Sequence, residues 1–237
     1  MINLARDGCL TLLKWLFHSK KFRLCEWTCA AAAGHGHMEV LKYLHAKRCP
    51  WNGMVCWQAA EEGHLEVLKW ARANGAPWNQ STTRAAACGG HFNVLKWLRN
   101  GFRANPCPWD SHVGLELVNR NEVGMLQWAI ANGCPTELNT TRWCRAAAIR
   151  GNLEMLQFLR SGPSPHYNWD ITVVERAAYR DQWRCVMWAV QRGCPHNAQL
   201  CLQLATATAN SDAQRGDLRL AALEARNFFE GRIGGCK

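Results

Sequence analysis

Residues 36–52 read GHMEVLKYLHAKRCPWN, residues 63–79 read GHLEVLKWARANGAPWN, and residues 90–101 read GHFNVLKWLRNG, each starting 27 residues after the last. This periodicity constrains the fold more than any other feature, because self-similarity at 20–50 residues is the signature of a stacked array. Anchored on the first glycine, the equivalent positions are Gly8, Gly36, Gly63, Gly90, Asn121, Gly151 and Asp181. An apolar cluster follows each anchor: LTLLKW, MEVLKY, LEVLKW, FNVLKW, VGMLQW, LEMLQF and WRCVMW. An eighth, weaker unit joins Cys201–Ala205 to GDLRLAAL at 216–223, its halves separated by TATANSDAQR.

Each unit reads as two short helices. The first carries a central alanine pair: Ala32–Ala33, Ala59–Ala60, Ala86–Ala87, Ala147–Ala148 or Ala177–Ala178. Alanine is the best helix former and lets neighbouring helices approach closely. The anchor glycine ends that helix in a left-handed cap. His37, His64, His91, Asn152 or Asp217 comes next, and the last two are good N-caps for the second helix. Glu39, Glu66 and Glu154 in its first turn suit the helix dipole. Leu65, Leu68 and Ala71 form an apolar stripe on the second helix. That helix is expected to end at Gly75, Gly101, Gly133, Gly162 or Gly193. A proline turn then blocks continuation. Trp51, Trp78, Trp109 and Trp169 follow it and are expected to pack under the turn. One such pair cannot bury its own apolar face, but stacked copies bury a continuous core.

The ordered run AAEEGHLEVLKWARANGAPWN at 59–79 resembles the corresponding segment of ankyrin repeats, strongly over 27–102 and more loosely to about residue 231. The resemblance implies an all-α, ankyrin-like helical solenoid of about eight helix-turn-helix repeats. The Cys-Pro-Trp turn and short period are similar to a variant found in large DNA viruses, oomycetes and algae, so a viral or protist source is implied. The TPLH opening of a standard unit is absent, with MVCW at 54–57 and STTR at 81–84 in its place. The β-hairpin fingers are therefore expected to be shortened or absent. A single array is expected over 1–231. Its units are 1–24 (partial), 25–52, 53–79, 80–110, 111–136, 137–170, 171–197 and an atypical cap at 198–231, with a tail at 232–237. The sparse first unit implies either an irregular N-terminal helix or a shortened copy of a longer array. FRANP before Cys107 and GPSPHYN before Trp169 lengthen two turns on one edge, where partner contacts often lie.

The chain has 237 residues, thirteen cysteines and a formal charge of +10. Four cysteines recur at one repeat position (Cys29, Cys56, Cys144, Cys201) and four precede proline (Cys49, Cys107, Cys134, Cys194). A cysteine used once per repeat acts as a small buried hydrophobe. An odd count used this way points to a reducing compartment, cytoplasm or nucleus, possibly of a host cell. No apolar run approaches a membrane span, and no signal peptide is read. The positive balance favours anionic partners. Between residues 97 and 236 every basic side chain apart from histidine is arginine. Arginine is the better group for bidentate contacts and stacking.

Chemistry repeated with the scaffold usually serves the scaffold. His37, His64 and His91 fall one per repeat, whereas a catalytic group needs a partner within hydrogen-bond reach, so no enzymatic activity is expected. Cys25, Cys29, His35 and His37 are residue types that suit zinc, but the repeat already explains Cys29 and His37. The Cys-Pro pairs are explained by the turn rather than by haem. No cofactor, metal or small-molecule substrate is expected. Residues flanking the alanine pairs face the concave side and vary freely. Among them Trp57, Gln58, Glu61, Glu62, Arg84, Arg120, Arg145, Arg150, Arg176 and Arg180 form the candidate contact surface. Tryptophan and arginine are enriched in binding hot spots. The reading is a non-catalytic scaffold for protein–protein recognition, with an acidic protein segment fitting the C-terminal arginines. The alternative is a nucleic-acid-binding array that uses the same strip.

Overall fold

The computed structural model describes all residues except 19–23, 102–104, 137–140, 162–166, 212–215 and 235–237. Sixteen helices and no strand occur among the described residues, so the hairpin fingers are absent there. The chain forms two compact units, Met1–Arg120 with Ala129–Pro135, and Asn121–Trp128 with Thr136–Lys237.

In the first unit the inner helices are α1 (Ile2–Arg6), α3 (Glu26–Gly34), α5 (Gly53–Glu61), α7 (Gln80–Gly89) and α9 (Ser111–Arg120). They alternate with outer helices α2 (Leu10–His18), α4 (Met38–Ala46), α6 (Leu65–Ala73) and α8 (Phe92–Asn100). Helix α10 (Val123–Ala131) contributes to both units. The second unit holds inner helices α11 (Arg142–Ile149), α13 (Ile171–Ala178) and α15 (Ala198–Ala209), and outer helices α12 (Leu153–Ser161), α14 (Trp183–Gln191) and α16 (Gly216–Gly234).

Inner helices stack in order: α1 on α3, α3 on α5, α5 on α7 and α7 on α9, and in the second unit α11 on α13 and α13 on α15. The alanine pairs make this possible, since all ten alanines are buried. Every anchor adopts positive φ, from 57° to 78°, including the non-glycines Asn121 and Asp181. Asparagine and aspartate are among the side chains that tolerate this conformation. Gly75, Gly133 and Gly193 end outer helices with positive φ. Gly101 does not: its φ is −73°.

Asp217, expected as an N-cap, lies inside the first turn of α16. Side-chain caps sit on inner helices, where Asn52, Asn79, Asp110 and Asp170 accept from the backbone N–H of Met54, Ser81, His112 and Thr172 at 2.9–3.0 Å. His37, His64 and His91 occupy outer-helix cap positions without a side-chain cap bond. The Cys-Pro thiols close each repeat. Cys49, Cys107, Cys134 and Cys194 donate to the carbonyls of Cys25, Asn79, Asp110 and Asp170, at the start of the same repeat's inner helix.

The turn tryptophans Trp51, Trp78 and Trp169 each meet a side chain of the outer helix before them and a tryptophan of the next. The Arg72, Arg99 and Arg160 guanidiniums lie 4.2–4.3 Å from the ring centroids of Trp78, Trp109 and Trp169. His45, at the same repeat position, stacks on Trp51 at 4.2 Å. Trp51, Trp78 and Trp169 also meet Trp70, Trp97 and Trp188 of the next outer helix edge-on at 5.8–6.0 Å. Each arginine–tryptophan stack contributes about 0.5–2 kcal/mol.

The C-terminal unit is more helical than its sequence suggests. Helix α15 runs through Ala209, taking up Thr206–Ala209 of the expected spacer, and α16 continues for 19 residues to Gly234, into the expected tail.

Candidate functional site

The scaffold claims several polar residues near the inner helices. The His37 ring lies against Gly8, His64 against Gly36 and His91 against Gly63, so closely that a Cβ on any of these glycines would come within 2.5–2.8 Å of the imidazole. His37 Nε2 also donates to the carbonyl of Arg6 at 2.7 Å. In the fifth repeat Arg120 takes this role. Its guanidinium covers Gly90, and Nη1 donates at 2.8 Å to the carbonyl of Cys88, which sits at the repeat position of Arg6. Gln182 covers Gly151 in the same way. The histidines therefore join successive repeats.

In the first unit, Trp57, Gln58 and Glu61 are half-buried and Glu62 is exposed. The Gln58 amide covers the backbone of Gly34. Burial, and then the neighbouring Glu62 carboxylate, raise the Glu61 pKa. Arg84 donates through Nε and Nη2 to one oxygen of Glu116 at 3.2 and 3.0 Å. Arg84, Arg120 and Gln58 thus carry structural contacts that sequence variability concealed. The sequence reading passed over Trp27, which is 51% exposed. It borders a recess of about 440 Å³ also lined by Ile2, Arg6, Ala31, His35 and Gln58. Its signal was its position one turn ahead of the flanking set.

In the second unit, α11 and α13 pack together. They carry Arg145, half-buried, and Arg176, exposed, and exposed Arg150 and Arg180 follow their C-terminal ends. The side chains of Arg145, Arg176 and Arg180 make no hydrogen bond or ion pair among the described residues. Tyr179, between two of these arginines, is 61% exposed. Here the structure gathers predicted residues on and just after adjacent inner helices and adds Tyr179, which the sequence pattern does not single out.

The other candidate chemistries have structural roles. Cys25 Sγ lies 3.5 Å from Thr28 Oγ1, and His35 Nδ1 donates to the Ala31 carbonyl at 3.1 Å. No group of three or more His, Cys, Asp or Glu side chains is placed to hold a metal among the described residues. Cysteines at the recurring positions are buried. Burial pushes the thiols of Cys56, Cys107, Cys144, Cys185 and Cys194 up to about 12. Residues 102–104 and 162–166 of the two inserted turns lie outside the described residues.

Comparison with known proteins agrees with this architecture. The family model of ankyrin repeats in many copies matches residues 56–99, which span α5 to α8. Among solved structures the chain is similar to the human ASB11 ankyrin repeat domain, at 18% identity and a TM-score of 0.57, covering 83% of this chain and 96% of that one. It also aligns with the pentatricopeptide repeat protein PPR10 in complex with an 18-nt psaJ RNA element, at 14% identity and a TM-score of 0.48, covering 100% of this chain and 38% of that one. No curated protein matches in sequence. The class is thus an all-helical repeat array with the fold of ankyrin domains, and residues 56–99 match the ankyrin-repeat family model. No described helix is long and apolar enough to cross a membrane.

Proposed function

We propose that the chain is a non-catalytic scaffold for protein–protein recognition, and that residues 1–231 act as one repeat array. The ankyrin match supports this reading, since arrays of that fold expose successive inner helices as binding surfaces. The observation that carries it is the arginine set of α11 and α13. Arg145, Arg176 and Arg180 are unpaired among the described residues and flank an exposed tyrosine, Tyr179. They stand where the stacking of helices demands no particular side chain. Such a surface suits an acidic protein segment with an apolar or aromatic side chain for Tyr179. Trp57, Glu61, Glu62 and the exposed Trp27 offer a second contact area on the first unit. The short-period Cys-Pro-Trp variant and a reducing compartment belong to the same proposal, supported by the buried, unpaired thiols.

The test compares native-lysate capture by the wild-type chain and by Arg145→Glu/Arg150→Glu/Arg176→Glu/Arg180→Glu. Proteins retained by the first and lost by the second support the reading. If every captured protein stays bound, the surface assignment is wrong. A mobility-shift series with generic RNA and DNA separates the alternative. Nucleic-acid binding through these arginines would weaken steeply with rising salt.

A further inference from the structure

The cysteine of each Cys-Pro turn lies on the first turn of its own repeat's inner helix. Its thiol donates to the carbonyl just ahead of that helix: Cys49 to Cys25 at 3.4 Å, Cys107 to Asn79 at 3.2 Å, Cys134 to Asp110 at 3.7 Å and Cys194 to Asp170 at 3.4 Å. The sulfur also meets the residue four positions further on. The backbone N–H of Thr83 reaches Cys107, that of Gly114 reaches Cys134 and that of Cys29 reaches Cys49. Conversely, Cys56 and Cys144 at this inner-helix position donate to the turn carbonyls of Ala76 and Tyr167 at 3.9 and 3.8 Å. The two positions therefore face each other along the array.

In most repeats a sulfur at one of these positions faces something other than sulfur at the other. Cys107 and Cys134 face Thr83 and Gly114, Val174 holds the register opposite Cys194, and Cys56 and Cys144 face Ala76 and Tyr167. In the repeat at 25–52 both positions are cysteine, and the Cys29 thiol donates to the sulfur of Cys49. That bond holds the Cys49 thiol below its ordinary range and raises that of Cys29, whereas burial pushes Cys56, Cys107 and Cys144 up to about 12. Cys29 is fully buried and Cys49 is 5% exposed.

We propose that Cys29 and Cys49 are a peroxide-responsive modification site, whose reversible disulfide ties the first turn of α3 to the Cys-Pro turn of the same repeat. The thiolate is the nucleophile in such chemistry. The Cys49 sulfur attacks one oxygen of hydrogen peroxide and the O–O bond breaks. The departing hydroxide takes up the proton that Cys49 shed and leaves as water. The Cys29 sulfur then bonds to the sulfenic sulfur of Cys49, and the hydroxyl leaves as a second water with the Cys29 proton. Two thiols lose two electrons and two protons, and one peroxide becomes two waters. The sulfurs begin in hydrogen-bond contact, so they need only close to the disulfide length of about 2.05 Å. The bond fixes the helix that carries exposed Trp27. It does not involve the arginines of the second unit, so this inference stands apart from the proposed function.

The test treats the folded full chain with hydrogen peroxide at neutral pH, alkylates the remaining thiols, and maps peptides without reduction. The expected product is a peptide pair joined through Cys29 and Cys49, lighter by two hydrogens and restored by dithiothreitol. Cys56, Cys107 and Cys144 should stay thiols under the same treatment. Two substitutions already used elsewhere in the array serve as controls: Cys29→Thr, matching Thr83, and Cys49→Ala, matching Ala76. Both should lose the cross-link, and Cys29→Thr should leave a sulfenic acid at Cys49 that dimedone traps. Thr83→Cys, which sets a thiol opposite Cys107, should gain a second cross-link. If peroxide oxidises exposed Cys88 while the folded chain keeps Cys29 and Cys49 as thiols, the proposal fails. Joining of Cys49 to Cys25 instead of Cys29 would overturn the pairing.

Discussion

Gly63 and Gly75 have similar backbones and different surroundings, and that contrast tests the account of the repeat junction. Gly63 has φ +78° and Gly75 has φ +87°. A Cβ at Gly75 meets nothing within 4 Å, whereas one at Gly63 comes within 2.5 Å of His91 Nδ1. Gly75→Ala should therefore incur only the cost of the left-handed conformation, about 1–2 kcal/mol. Gly63→Ala should incur the same cost plus displacement of the imidazole, about 1–3 kcal/mol for overpacking. Urea unfolding followed by far-UV circular dichroism measures both variants. In a double-mutant cycle, His91→Ala should remove the extra cost at Gly63 and leave the cost at Gly75 unchanged. Equal destabilisation by the two glycine substitutions would refute the claim that His91 is held by this contact, as would a Gly63 cost that His91→Ala does not reduce.

Other outcomes follow from the same structure. Arg48 stands in the repeat position of Gly75 with φ +57°, so Arg48→Gly should raise stability by about 0.5–1 kcal/mol and shift the thermal midpoint upward. Arg160→Lys should cost about 1–2 kcal/mol in urea unfolding, because lysine loses the planar stack on Trp169 and the guanidinium bond to the Tyr167 carbonyl. The buried thiols of Cys56, Cys107 and Cys144 stay protonated in the folded chain up to about pH 12, while in the unfolded chain they ionise near pH 9.0. Their contribution is complete below pH 9 and is lost as pH rises toward 12, so chemical-denaturation midpoints should fall across that window. At pH 8 a thiol reagent should modify exposed Cys88 quickly and these three only on unfolding.

The repeat architecture was legible because its constraints act on single letters. A left-handed anchor accepts few residue types, so Asn121 and Asp181 could be aligned with the glycines, and their φ values of 62° and 57° agree. The alanine pairs were legible because close stacking of inner helices excludes larger side chains. Contacts that join residues across repeats were not. Nothing in the letters says that Arg120 stands in for a histidine, since it lies ahead of its anchor and reaches Gly90 by its length. The pairing of Arg84 with Glu116 spans 32 residues and two different repeat positions. The asparagine after Pro-Trp is not legible as a cap, because the turn accounts for its segment without one. The full reach of α16 is concealed by the spacer that splits the weak eighth unit in the sequence.

The surface assignment is tested most directly by hydrogen exchange on the chain bound to a partner that depends on the four arginines. The account expects protection over Arg142–Ile149 and Ile171–Ala178, the inner helices that carry Arg145, Arg176 and their neighbours. Protection confined to the outer helices Leu153–Ser161 and Trp183–Gln191, with the inner pair unchanged, would contradict it.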